Sequence, residues 1–215
     1  MAAPRVVGID ELVKRAQALA EAGPRQLLGI AGPPGAGKST LAERIVEAVG
    51  ATARLVPMDG FHLAQAELRR LGRAERKGAL DTFDANGYVS LLRRLRRLEP
   101  TAVYAPAFRR DLEEPVAGSI EVPPSVRLVI TEGNYLLMAG TPWDEVRQLL
   151  HEAWFLDLDA ELRLRRLTAR HEAYGRSPEQ AREWATGSDE ANAALVADTA
   201  RRADLVVRLA EPPPP

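Results

Sequence analysis

The sequence predicts a three-layer α/β fold built on a doubly wound parallel sheet of about five strands. Three observations predict it. Short apolar runs suited to buried strands alternate with segments whose apolar residues recur at helical spacing. A glycine-rich turn, Gly32-Pro-Pro-Gly-Ala-Gly-Lys-Ser-Thr, joins the first run to a helix. Asp59, Glu132 and Asp157 close three later runs, at the carboxyl strand ends where ligands of such sheets gather.

The elements follow in order. Helical periodicity covers 9–22, with Asp10 as a candidate cap. Residues 26–31 form the first strand. Leu41, Ile45, Ala48 and Val49 mark a helix that runs to about 49. Residues 53–58 read as a second strand ending at Asp59-Gly60, and a basic helical stretch spans 63–73. Residues 88–98 are helical, with Leu91, Leu92, Leu95 and Leu98 on one face. Strands are expected at 126–131, 152–157 and 203–208. The arginine-rich segment 161–173 is helical by pattern and capped by Asp159. One domain, 1–211, is expected, with a helical lid at about 161–187 and a frayed proline-rich tail at 212–215.

The turn at 32–40 carries the chemistry. Gly32, four residues, Gly37, Lys38 and Ser39 fit the spacing of a phosphate-binding P-loop, after a strand and before a helix. Glycines let successive N–H groups turn toward a phosphate. The helix adds its positive N-terminal end. Gly32, Pro33, Pro34, Gly35, Ala36, Gly37, Lys38, Ser39 and Thr40 are therefore the candidate ATP-binding segment. Lys38 is placed to reach the β- and γ-phosphates, and the Ser39 hydroxyl to ligate Mg²⁺. The fold is then a P-loop NTPase fold.

Composition narrows the classes. Net charge is −1, so no global basic field draws the chain to nucleic acid or a membrane surface. No cysteine is present, which removes disulfides, thiolate metal sites and cysteine nucleophiles. The N-terminus lacks the apolar core of a signal peptide, and no apolar stretch is long enough to span a bilayer. A cytoplasmic location is expected. Lysine occurs only at 14, 38 and 77, so arginine is the default cation and each lysine stands out. A guanine-specific Asn-Lys-x-Asp motif is absent, which argues against a GTPase.

A small-molecule kinase fits the remaining landmarks. It needs a carboxylate beside the acceptor hydroxyl, a metal site on the phosphates and arginines over the transferring group. Asp59 is a candidate for the first, against a plain Asp-Gly turn. Glu132 is a candidate for the metal or its water shell. Arg163, Arg166 and Arg170 fall on one helix face, either as lid arginines or as a solvated basic face. Gly175 reads as a hinge or a helix stop. His62 is placed to touch substrate or to fill a turn, and His151 and His171 read as surface residues. Trp143, Trp154 and Trp184 read as core or lid packing. The alternative class is a catalytically silent nucleotide-binding regulatory or interaction protein.

The ordered set resembles the phosphoribulokinase/uridine kinase/type I pantothenate kinase group. It comprises the loop at 32–40, Pro-Met-Asp-Gly-Phe-His-Leu at 57–63 and Arg-Lys-Gly-Ala-Leu-Asp-Thr-Phe-Asp at 76–84. Tyr-Ala-Pro-Ala-Phe-Arg-Arg at 104–110, Ile-Thr-Glu-Gly-Asn-Tyr-Leu-Leu at 130–137 and the arginine helix complete it. The likeness is nearest to bacterial nucleoside/nucleotide- or fructose-kinase-like members. It implies an ATP- and Mg²⁺-dependent kinase acting on a hydroxyl of a nucleoside, sugar or pantothenate-like metabolite. It implies Asp59 as general base, with Lys38, Arg166 and Arg170 as catalytic partners, and Ser39 and Glu132 at the metal. Arg176 is implied as a further lid arginine and Asn192 as a neighbour of adenine. The acceptor site is implied to include Asp59, His62, Lys77, Phe83, Tyr104, Phe108, Arg109, Glu132 and Asn134. A homodimer is consistent with the resemblance. Asp59-Gly-Phe-His62 departs from the Asp-Ser-Phe-Tyr usual in uridine kinases, which leaves the acceptor open.

Overall fold

The computed structural model describes residues 4–175 and 177–210. β1 (Arg5–Val7) and α1 (Ile9–Glu21) precede β2 (Gln26–Ala31), the glycine-rich loop and α2 (Lys38–Val49). β3 (Ala53–Leu55) leads through a 3-10 turn at Met58–Phe61 to α3 (Gln65–Arg70) and α4 (Ala85–Arg97). A hairpin of β4 (Val103–Arg109) and β5 (Glu114–Val122) comes next, then β6 (Leu128–Gly133), α5 (Trp143–Leu149) and β7 (Glu152–Asp157). Helices α6 (Ala160–Ala173), α7 (Pro178–Thr186) and α8 (Ser188–Ala197) lead to β8 (Leu205–Leu209).

Six strands form one sheet in the order β1-β8-β7-β2-β6-β3, and every pairing is parallel. β2 lies inside the sheet, with Leu28 opposite Ile130 on one side and Glu152 on the other. All six of its residues are buried, which explains its unbroken apolar run. Leu28 and Ile30 face Leu12, Ala16, Leu41 and Ile45 of α1 and α2. Leu27 and Ala31 face the opposite layer, where α4 and α5 contribute Tyr88, Leu92, Trp143 and Val146. Helices on both faces make the three layers expected.

The structure corrects several expectations. The sheet has six strands, because β1 adds an edge. At three residues, with only Val7 buried, β1 is too short for its pattern to register. The second strand stops at Leu55 rather than 58. Val56 still donates to the Ile130 carbonyl at 2.8 Å, but Pro57 has no N–H to continue the ladder. The basic stretch 63–73 condenses to α3 alone, ended by Gly72 at a φ of 66°. Asp10 lies in the first turn of α1, and Gly8 occupies the cap position. Helix α4 begins three residues earlier than 88 because the Asp84 carboxylate caps it, accepting from the Gly87 N–H at 2.8 Å. The tail 212–215 and Arg176 lie outside the described residues.

Candidate active site

The carboxyl ends of β2, β3 and β6 open onto a cleft of about 820 Å³. Its floor is the glycine-rich loop. Gly35 has a φ of 80°, and a Cβ there would fall 2.8 Å from the Leu167 side chain of α6. Only glycine lets the loop bend this way while α6 packs beneath it. Helix α2 starts at Lys38, so its N-terminal N–H groups point into the loop.

Lys38 is buried. Its Nζ donates to the Pro33 carbonyl at 3.0 Å and to Asn134 Oδ1 at 2.8 Å. Burial pulls its pKa below the ordinary lysine value, while Glu132 and Asp59 oppose that shift. Ser39 Oγ donates to Glu132 Oε1 at 2.9 Å. Burial and the neighbouring Asp59 carboxylate push Glu132 above the usual carboxylate range, against the pull of Lys38 and Ser39. The hydroxyl and carboxylate of Ser39 and Glu132 are hard oxygen donors of the kind Mg²⁺ accepts. No group of three or more metal-ligating side chains occurs among the described residues, so a Mg²⁺ ion here would share its coordination with phosphates and water.

Asp59 lies in the 3-10 turn after β3 and lines the cleft opposite the loop. His62 Nδ1 sits 2.7 Å from the Asp59 carbonyl, and its ring packs on Phe83 and Phe108 at 4.1 and 4.8 Å between centroids. Lys77 Nζ lies 5.1 Å from the Phe108 centroid and donates to the Glu113 carbonyl. Arg166 and Arg170 enter the cleft from α6. Gly175, at a φ of 90°, ends that helix as a stop, its N–H donating to the Glu172 carbonyl.

The structure thus brings together Lys38, Ser39, Thr40, Asp59, His62, Lys77, Phe83, Phe108, Glu132, Asn134, Arg166, Arg170 and Asn192. It does not bring in Tyr104 or Arg109. The register of β4 against β5 shifts between Ala105 and Ala107, and that bulge puts Tyr104 and Phe108 on opposite sides despite their even spacing. Tyr104 is exposed, and Arg109 pairs with Asp111 at 2.6 Å. Arg110 takes the place expected for Arg109, with its guanidinium 5.5 Å from the Tyr174 ring.

Other placements also differ. Arg163 leaves the face shared by Arg166 and Arg170: it is 3% exposed, packs under Gly35 and pairs with Glu190. Asp157 stays at its strand end but pairs with Arg208 outside the cleft. Asn192 lines the cleft, with the Tyr135 hydroxyl 2.9 Å from its Oδ1 and 2.7 Å from the Gly78 carbonyl. His171 is no surface residue; it lines the cleft with Nε2 2.7 Å from Asp189 Oδ2 and its ring against Trp184. His151 is exposed, yet its Nδ1 accepts the Leu27 N–H at 2.9 Å. Glu43, Glu113, Tyr174 and Asp189 were missed as cleft residues. Arg110 lies inside the 104–110 segment quoted for the resemblance, which is the one signal that bore on it; Glu43, Glu113, Tyr174 and Asp189 fall outside every segment quoted there residue by residue.

A family model described as the phosphoribulokinase/uridine kinase family matches residues 27–211. The chain belongs to this family. A Schizosaccharomyces pombe protein named "putative uridine kinase" is 34% identical over 217 residues, covering 96% of this chain and 92% of that protein. The crystal structure of a "putative fructose transport system kinase" from Silicibacter sp. TM1040 superposes with a TM-score of 0.80 at 33% identity. It covers 96% of this chain and 100% of its own. The Saccharomyces cerevisiae P-loop protein YFH7 superposes with a TM-score of 0.82 over 96% of this chain and 100% of its own; at 18% identity the likeness shows the fold alone. This P-loop kinase is a phosphotransferase with an alcohol group as acceptor. No helix among its described residues is long and apolar enough to cross a membrane.

Proposed function

We propose that this kinase transfers the γ-phosphoryl group of ATP to a hydroxyl of a nucleoside, sugar or pantothenate-like metabolite, with Asp59 as general base. One observation carries the reading. The Asp59 carboxylate accepts no hydrogen bond and forms no ion pair among the described residues, yet it lines the cleft that holds Lys38 and the Ser39–Glu132 pair. A carboxylate left without a partner beside a phosphate cradle is free to take a proton.

The acceptor O–H proton passes to the Asp59 carboxylate as the acceptor oxygen bonds to the γ-phosphorus. The bond from that phosphorus to the β,γ-bridging oxygen breaks, and ADP leaves with its electron pair. The loop N–H groups and Lys38 hold the phosphates, and Arg166 and Arg170 neutralise charge on the phosphoryl oxygens. Mg²⁺, held by Ser39 and by Glu132 directly or through water, would withdraw charge from the phosphates. Helices α6 and α7 act as a lid that excludes water. The reaction belongs in the cytoplasm, where ATP is supplied.

The test is ADP formation with Mg²⁺-ATP and a panel of uridine, cytidine, pantothenate and fructose, in wild type and Asp59→Asn. Acceptor-dependent turnover is expected to fall by about 10²–10⁴-fold in the variant, with ATP affinity retained. Undiminished turnover in Asp59→Asn would remove the base assignment.

A further inference from the structure

The acceptor end of the cleft holds two cations that no carboxylate pairs with among the described residues. Neighbouring arginines have carboxylate partners: Arg70 with Glu67, Arg73 and Arg76 with Asp81, Arg109 with Asp111. Lys77 and Arg110 form no ion pair among the described residues. Lys77 spends one donor on the Glu113 carbonyl and rests over Phe108, and Arg110 rests over Tyr174. Both line the cleft. Glu113 lines that end too, and Arg110 pulls on the Glu132 carboxylate across the cleft without pairing with it. Lys77 is also one of only three lysines in a chain that otherwise uses arginine.

The aromatic rings there are already engaged. Phe83 carries the His62 ring, Phe108 carries His62 and Lys77, and Tyr174 carries Arg110. Stacking a nucleobase takes an open aromatic face. These rings instead pack tilted against the His62 ring or beneath cations, which favours recognition by charge and hydrogen bonding.

Resting on the reading of this cleft as a kinase acceptor site, we propose that the acceptor is a small, non-aromatic polyol bearing a carboxylate or phosphate, which Lys77 and Arg110 recognise. Planar, forked Arg110 suits two oxygens of such a group, and Lys77 supplies a point charge. The anion anchors the molecule at the hairpin, and a hydroxyl on its far side meets Asp59. Arg110 also touches the lid through Tyr174, so an anion that draws Arg110 inward links acceptor binding to the position of α6.

The test compares acceptors with and without the anionic group: D-glycerate with glycerol, and ribulose 5-phosphate with ribulose, with uridine as the neutral aromatic case. The anionic member is expected to exceed its neutral partner at least tenfold in kcat/KM. The glycerate arm reads a carboxylate and the ribulose 5-phosphate arm a phosphate. Lys77→Met and Arg110→Met should each raise KM for the anionic member more than they lower kcat, and together should erase its advantage. Preference for a neutral polyol or uridine, or an advantage that survives both substitutions, would overturn the proposal. Melting shifts caused by the same acceptors, measured with AMP-PNP and Mg²⁺ on Asp59→Asn, separate the failures. A shift from the anionic members without turnover in wild type counts against the transfer reading alone. No shift from either anionic member counts against the anion site.

Discussion

At the residue scale, His62 is set by one neighbour. Its Nδ1 lies 2.7 Å from the Asp59 carbonyl, which can only accept, so Nδ1 carries the proton. Burial holds the ring's pKa below its ordinary value near 6.5, against the pull of Asp59 toward the charged form. The neutral ring then offers Nε2 as an acceptor beside the proposed base. The sign of the stability effect follows. The unfolded chain binds the proton more readily, so the contribution is full above about 6.5 and is lost as pH falls below it. Glu132, raised by burial and by Asp59, runs the other way, so the His62 effect must be read as a difference between proteins. Between pH 7.5 and 5.5 the melting temperature of wild type should fall more steeply than that of His62→Gln. Parallel curves would mean that His62 does not titrate as the burial requires.

At the scale of elements, the acceptor hairpin is positioned by one close contact. A Cβ on Gly60 would lie 2.3 Å from the Pro106 carbonyl oxygen of β4. Gly60→Ala must therefore push the hairpin away from Asp59, carrying Phe108 and Arg110 with it. A misplacement of about 1 Å can cost about 10²-fold, so kcat/KM for the acceptor should drop by about that factor while ATP affinity holds. Unchanged acceptor kinetics would show that the hairpin does not position the acceptor. The same hairpin shows where sequence reading stops. β2 and its loop were legible because burial on both faces imposes an apolar run and the phosphate cradle imposes glycine spacing. The side of β4 that faces the cleft was not: Pro106 marks the place where the register shifts between Ala105 and Ala107, but a proline permits a bulge without fixing how the two-residue alternation resumes after it. Arg109 and Arg110 are chemically identical, and only the register decides which one reaches the cleft. Arg163 was misplaced for a related reason: helix spacing groups it with Arg166 and Arg170, but Leu167 and Arg163 pack under the loop.

At the scale of the whole molecule, the proposed lid role assigns the sheet and its loop to holding nucleotide and the helices after β7 to closing over it. On the proposed mechanism, phosphate binding and transition-state stabilisation fall on different units: the loop after β2 and Lys38 at the start of α2 on one side, Arg166 and Arg170 of α6 on the other. Stability and turnover should accordingly separate. AMP-PNP with Mg²⁺ at a hundred times its Kd stabilises the folded state by about 2.7 kcal/mol. For a chain of this size that corresponds to a rise of roughly 5–10 °C in melting temperature. Arg166→Met should keep most of that rise and lose about 10²–10³-fold in kcat, because its guanidinium matters most when charge spreads over the transferring group. Lys38→Met should lose much of the rise, since it removes a buried cation that the bound phosphates would meet directly. If Arg166→Met instead abolished the melting shift with kcat little changed, the lid arginine would be a ground-state phosphate ligand, and the division of labour between sheet and lid would fail.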